Sequence, residues 1–261
     1  MKKSIFITGA AKGIGKATAL LFARKGYYIG LSDINENDLQ KVAEEIGTEN
    51  CSTYILDVRN IEQIEHALQD FGSKTHQQMN VLFNNAGVLF SGGFDKVDLE
   101  KNHLIADVNF KGVMNMTYFA LPLLKKTPKS AIINMCSASS FYGNPELTAY
   151  AASKSAVKSL TEGWNMLYKK YDIHVADLIP AYVKTDMVTD EQSAMKLDDK
   201  DLKISAEEIA QVVWDAAHSN QIHFYIGTDS NLLRFSKWLL PPPIFKEILK
   251  SKIFNIAIEK N

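Results

Sequence analysis

The chain has 261 residues, 46% of them hydrophobic, and a formal net charge of −1. That length suits one open α/β unit with a substantial core, and the charge balance lacks the basic footprint of a nucleic-acid partner. Cys51 and Cys136 are the only cysteines, too few for a disulfide framework, so a reducing, cytoplasmic compartment is expected. Lys2 and Lys3 resemble the charged start of a signal peptide, but the apolar run at 4–8 is too short to complete one. No apolar run reaches the roughly 18 residues that a membrane-spanning helix needs.

Short apolar runs alternate with segments whose apolar residues recur every three or four positions, the pattern of βαβ units. Strands are predicted at 4–8, 27–32, 52–56, 81–83, 131–135, 173–178 and 223–226, and early helices at 14–24, 37–46 and 61–71. The fold class is therefore α/β, a Rossmann-like doubly wound parallel sheet of about seven strands with helices on both faces. In such sheets ligands bind beyond the carboxyl ends of the strands, so the residues that follow each strand are where chemistry belongs.

The first strand runs into Thr8-Gly9-Ala10-Ala11-Lys12-Gly13-Ile14-Gly15. Glycines at a strand-to-helix turn let the backbone approach a pyrophosphate, and the helix amino terminus starting near Ile14 supplies N–H donors and a favourable dipole. No Gly-Lys-Ser/Thr follows, which argues against a P-loop. Asp33 closes the second strand, where an acid meets an adenosine ribose. Its carboxylate accepts from a free 2′-hydroxyl and repels a 2′-phosphate, which favours NAD. Lys12 pulls the other way, since a lysine there could reach a 2′-phosphate and admit NADP.

Tyr150 and Lys154 lie four residues apart in Tyr-Ala-Ala-Ser-Lys, one helical turn, which places phenol and ammonium on one face. An unperturbed phenol, with a pKa of about 10, is a poor acid or base at neutral pH, and a nearby cation favours its ionised form. Such a phenol can exchange protons with an alcohol or carbonyl. The bland alternative is a packed ring beside a solvated charge. The six histidines form no close ligand pattern, so no metal site is expected.

The loop spacing, Asn84-Asn85-Ala86-Gly87, Ser137 and the Tyr150–Lys154 pair together resemble the short-chain dehydrogenase/reductase family in its compact single-domain branch, over about residues 4–230. The resemblance implies four catalytic residues: Tyr150 as proton donor or acceptor, Lys154 lowering its pKa and holding the nicotinamide ribose, Ser137 bonding the substrate oxygen, and Asn109 holding a water linked to the lysine. Ser139 and Ser140 compete with Ser137, which can also be read as a cap for the next turn. Without the resemblance, Asn109 reads as a polar residue bonded to nearby backbone inside a helical stretch.

The implied cofactor contacts are Gly9, Lys12, Gly13, Ile14 and Gly15 in the loop, Asp33 on the ribose, and Asp57 and Val58 on the adenine. Asn85, Ala86 and Gly87 line the adenosine ribose, and Val183 and Thr185 hold the nicotinamide amide. Ala181 stands where the family's usual pattern has a glycine, which leaves the outline of the substrate pocket open.

The implied activity is NAD-dependent hydride transfer to or from a lipophilic secondary alcohol or ketone. An NADP-dependent 3-oxoacyl or other carbonyl reductase is the alternative, and a non-catalytic dinucleotide sensor is the alternative of another class. Leu89, Phe90, residues 141–144, Tyr182 and a flap at 187–202 would meet the substrate. A homodimer or homotetramer through helices at 99–125 and 148–169 follows by analogy with the family.

Residues 231–261 carry one Arg, five Lys and two Glu among interleaved apolar residues. Leu232, Phe235, Trp238 and Leu239 fall on one helical face, prolines at 241–243 break it, and Phe245, Ile248, Leu249 and Phe254 resume the pattern. This basic amphipathic extension of the domain at 1–230 packs on the body or a subunit partner, covers the substrate cleft, or rests peripherally on a membrane surface.

Overall fold

The computed structural model describes residues 2–185, 187, 202–241 and 244. Its strands are β1 (Ser4–Thr8), β2 (Tyr28–Asp33), β3 (Cys51–Ile55), β4 (Val81–Asn84), β5 (Ser130–Met135), β6 (Ile173–Pro180) and β7 (His223–Ile226). They pair in parallel in the order β3-β2-β1-β4-β5-β6-β7. The chain starts mid-sheet, winds out to β3, returns to β4 beside β1 and winds out to β7. The β1–β4 junction is the point at which the winding reverses and a crevice opens.

The helices are α1 (Gly13–Arg24), α2 (Glu36–Ile46), α3 (Ile61–Lys74), α4 (Leu99–Ala106), α5 (Gly112–Lys125), α6 (Thr148–Tyr168), α7 (Ala206–Ala217) and α8 (Thr228–Leu239). Alternation along β1 divides the core. Ile5 and Ile7 pack on one face with Leu31, Phe83, Ile133, Phe22 and Val213, whereas Phe6 packs on the other with Leu82, Ile132, Val175, Phe71 and Met116. Central strands buried on both faces leave no polar alternation, which is why they read as continuous apolar runs.

The predicted stretch at 99–125 is not one regular helix. A π-turn at Asp107–Lys111 separates α4 from α5, and Asn109 sits in it, fully buried. Helix α8 begins at Thr228, inside the predicted body, so the extension is continuous with it. Residues 188–201 of the flap, Phe245, Ile248, Leu249 and Phe254 lie outside the described residues, as do the side chains of Leu232 and Trp238.

Candidate active site

The turn from β1 to α1 places Gly9 at φ +68° and Gly13 at φ +51°, a left-handed backbone that favours glycine. A Cβ added to Gly15 would stand 1.9 Å from the Gly9 carbonyl oxygen, so helix and turn are in direct backbone contact. The Asn85 amide donates to the carbonyls of Thr8 (3.0 Å) and Gly9 (2.9 Å). The Thr8 hydroxyl accepts from the N–H groups of Asn85 and Ala86, each at 3.0 Å. Asn85 and Ala86 are thus knitted to the glycine loop across the β1–β4 junction. Thr185, arriving after β6, lies over the same loop, 3.3 Å from where a Cβ on Gly13 would be.

Helices α2, α3 and α7 carry Asn35, Asn60 and Ser205 as side-chain caps. Helix α1 starts at Gly13 after the N-cap Lys12 and, like α6, has no side-chain cap bond and no acid in its first turn. Its amino end suits an anion supplied from outside. A dinucleotide pyrophosphate therefore fits this cradle, which a side chain at position 15 would fill.

Asp33 ends β2 beside the loop, accepting from the Ala11 N–H through Oδ2 and from the Asn35 N–H through Oδ1, both at 3.0 Å. Lys12 turns back to Asp38, with Nζ 3.2 Å from Oδ2. Asp57 is held in an ion pair by Arg59, which keeps its carboxyl below the usual range. The side chain of Val58 is buried against Gly112, where a Cβ would stand 2.5 Å from its Cγ2. Val183 is buried and bridges to Ile204.

Ser137 leaves β5 and caps the short turn Ala138–Phe141, its Oγ accepting from the Ser139 N–H at 3.2 Å. The capping reading holds, and the same hydroxyl lies close enough to the Tyr150 phenol to draw its pKa downward. Ser139 bonds back to Ser137 at 3.1 Å and does not compete with it for the tyrosine. Lys154 is 3% exposed, donates from Nζ to the Met135 carbonyl at 2.8 Å and stands 5.6 Å from the Tyr150 ring centre. A Cβ on Gly87 would lie 3.3 Å from Asn109 Oδ1 and 3.8 Å from Lys154 Nζ, so these three converge. Asn109 itself brackets Val88, accepting from its N–H at 2.8 Å and donating to its carbonyl at 2.9 Å.

One expectation is corrected. The phenol is pushed above, not below, its ordinary value, chiefly by burial, and burial lowers the Lys154 ammonium to about 8. Desolvation disfavours the charged form of each, and for the phenol it outweighs the downward pull of Ser137. Ala181 needs no glycine-like backbone, since its φ is not positive, and a Cβ at Gly227 would meet its Cβ at 3.8 Å.

Comparison with known proteins agrees with this geometry. The short chain dehydrogenase family model matches residues 3–196. The chain belongs to the short-chain dehydrogenases. It is 34% identical over 187 residues to a Thermotoga maritima protein named 3-oxoacyl-[acyl-carrier-protein] reductase, covering 71% of this chain and 76% of that one. It is 31% identical to a cyclohexanol dehydrogenase of Acinetobacter sp. strain SE19, over 81% and 86% of the two chains. A solved structure described as ElxO with NADP bound superposes with a TM-score of 0.76 at 26% identity, over 86% of this chain and 96% of that one. Membership of the short-chain dehydrogenases makes the chain an oxidoreductase of the CH–OH/carbonyl class with a nicotinamide dinucleotide site.

Sequence reasoning passed over Thr8 as a structural partner of Asn85 and Ala86. Its signal was a hydroxyl at the very end of the first strand, directly before the glycines. It also passed over Arg59, whose charge two residues after Asp57 was legible.

Proposed function

We propose that the chain catalyses reversible hydride transfer between NAD and a lipophilic secondary alcohol or its ketone. The observation that carries this reading is the approach of the buried Lys154 to the Tyr150 ring, 5.6 Å from its centre, with the Ser137 hydroxyl near enough to the phenol to draw its pKa downward. When bound, the nicotinamide supplies the carbon that accepts or gives the hydride. Ser137 and Tyr150 hold the substrate oxygen between two hydroxyls, and Tyr150 gives or takes its proton. Gly87, Asn109 and Lys154 form the polar floor of the site.

The preference for NAD is supported by Asp33 at the ribose position and by the pairing of Lys12 with Asp38, which directs the lysine away from a 2′-phosphate. The substrate class is supported by an apolar wall in which Leu89 and Leu147 pack with Tyr150 and Tyr182. The names of the Thermotoga and NADP-bound relatives favour a second reading, an NADP-dependent 3-oxoacyl or other carbonyl reductase. A non-catalytic sensor has no use for the paired hydroxyls.

The same reading places the enzyme in the cytoplasm as a homodimer or homotetramer. Exposed Leu99, Tyr118, Met166 and Leu167 on α4, α5 and α6 support self-association, which sedimentation would measure. No described helix is long and apolar enough to cross a membrane. For residues 231–239 we favour packing on the body over a lid or a membrane anchor, on the contacts that Ser230 and Arg234 make with it.

The test follows nicotinamide absorbance with both cofactors against a panel of lipophilic alcohols, ketones and 3-oxoacyl thioesters. Turnover with NAD and cyclic or long-chain alcohols is expected, with a loss on the order of 10²-fold or more in Tyr150→Phe. Undiminished turnover in that variant refutes the mechanism, and a strong NADP preference refutes the cofactor assignment.

A further inference from the structure

Beneath the Ser137 turn lies a small apolar cluster of Cys136, Ala138, Phe141 and Ile179, against which Tyr142 and Tyr225 pack. On one side the turn is held by α6, where the Ser155 hydroxyl donates to the Ser140 carbonyl at 3.1 Å. On the other it leans on the sheet edge. The Phe141 ring stacks on Tyr225 of β7, with centroids 5.8 Å apart and planes 25° apart. The Arg234 guanidinium of α8 lies over the Tyr225 ring at 4.3 Å. Helix α8 is itself fastened to the sheet by Ser230, whose buried hydroxyl donates to the Ile179 carbonyl at 2.7 Å.

The edge strand that carries Tyr225 has only four residues and is held by polar side-chain contacts. His223 Nδ1 lies 2.8 Å from Oδ1 of the fully buried Asp177 on β6, and its Nε2 lies 3.3 Å from Oε1 of Glu162 on α6. The path from α8 to Ser137 thus runs through a cation over a ring, an aromatic stack and the turn itself, where the Ser140 N–H donates to the Ser137 carbonyl at 3.0 Å.

We propose that Tyr225, gripped between Arg234 and Phe141, is a positioning residue for Ser137, so that the C-terminal helix fixes the catalytic serine from behind. The inference rests on the reading of Ser137 and Tyr150 as the catalytic hydroxyls. Its physical content is that Ser137 is the first residue of a turn whose last, Phe141, has its ring position set by Tyr225. Removing the ring frees the turn to shift, and displacement of a catalytic group by about 1 Å can cost up to about 10²-fold in rate.

Tyr225→Ala, Tyr225→Phe and Arg234→Met, each alone and combined with Ser137→Ala, are measured for kcat and KM with NAD and the best alcohol of the panel, and for NAD affinity by fluorescence titration. Tyr225→Ala is expected to lower kcat about tenfold with NAD affinity unchanged, Tyr225→Phe to stay within about twofold because the stack survives, and Arg234→Met to fall between. On the Ser137→Ala background, Tyr225→Ala costs nothing further, because it acts through that serine. An undiminished loss on that background overturns the proposal, as does a kcat loss in Tyr225→Phe equal to that in Tyr225→Ala. A crystal structure of Tyr225→Ala gives a readout independent of turnover: the Ser137 Oγ is displaced relative to the Tyr150 phenol, and an unmoved Ser137 overturns the proposal. If Ser137→Ala alone leaves kcat intact, the catalytic reading fails, whereas a sensitive Ser137 with an indifferent Tyr225 sinks the positioning role alone.

Discussion

Substitution of Gly15 by alanine tests the cofactor cradle most sharply, because the structure fixes what the new methyl meets. Its Cβ would lie 1.9 Å from the Gly9 carbonyl oxygen and 2.8 Å from Asn85 Nδ2, and the first of these is backbone with no rotamer to yield. The carbonyl must retreat by about 1 Å before the contact is tolerable, which also pulls on the 2.9 Å Asn85–Gly9 hydrogen bond. Overpacking of this kind costs about 1–3 kcal/mol, and at roughly 2–4 °C per kcal/mol in a chain of this size the melting temperature should fall by about 2–12 °C. The same displacement moves the loop backbone away from a pyrophosphate, so NAD affinity should drop at least about tenfold, the equivalent of roughly 1.4 kcal/mol. Fluorescence titration and thermal denaturation measure both quantities. Gly163 is the control, since it lies exposed on α6 with nothing within 4 Å of an added Cβ, and its alanine variant should gain up to about 1 kcal/mol from helix propensity with NAD binding unchanged. A Gly15→Ala protein that melts and binds NAD like the parent would refute the geometry of the loop.

Two further outcomes follow from charges near the site. Lys154 is held at about 8 by burial, so the folded protein releases its proton at lower pH than the unfolded chain, and its unfavourable contribution is relieved as pH rises from about 8 to about 10.5. Lys154→Met should therefore be inactive yet more stable at pH 7, by on the order of 2 kcal/mol after loss of the hydrogen bond to Met135. That advantage should shrink across the same alkaline window in denaturation titrations, and a constant or widening advantage would contradict the assignment. Asp38→Ala removes the exposed ion-pair partner of Lys12, and because such pairs are weak the NADP-to-NAD ratio of kcat/KM should rise only modestly, up to about fivefold. No rise would mean that Lys12 does not reach the ribose phosphate position.

What the sequence disclosed follows from what is local. A β1 buried on both faces leaves a continuous apolar run, the glycines sit where that run stops, and Tyr150 and Lys154 share a helical face by spacing alone. The π-turn around Asn109 stayed hidden because an extra residue in one turn barely disturbs the apolar pattern of the α4–α5 stretch. The Lys12–Asp38 pair and the Phe141–Tyr225 stack join residues on different elements, and no periodicity encodes such meetings. The last strand was read correctly at 223–226, but its role against the Ser137 turn depends on β7 lying beside β6, which only the sheet order supplies.

The sign of the phenol's shift was the least legible property, because it depends on burial. Spacing places a cation near Tyr150, and Coulomb attraction then suggests an acidic phenol. In the folded protein Lys154 donates to the Met135 carbonyl, and the influence that draws the phenol downward is the neighbouring Ser137 hydroxyl, against the larger opposing effect of burial. The serine that would hold the substrate oxygen is thus also the group that tunes the base. Alcohol oxidation needs the phenolate as proton acceptor, so its rate should climb with pH into the alkaline range. Ser137→Ala should shift that climb to higher pH in addition to lowering the plateau, whereas a serine that only binds substrate would lower the plateau and leave the profile in place. A pH series of initial oxidation rates on the two proteins separates these outcomes, and an unshifted profile would return the tuning of Tyr150 to Lys154 alone.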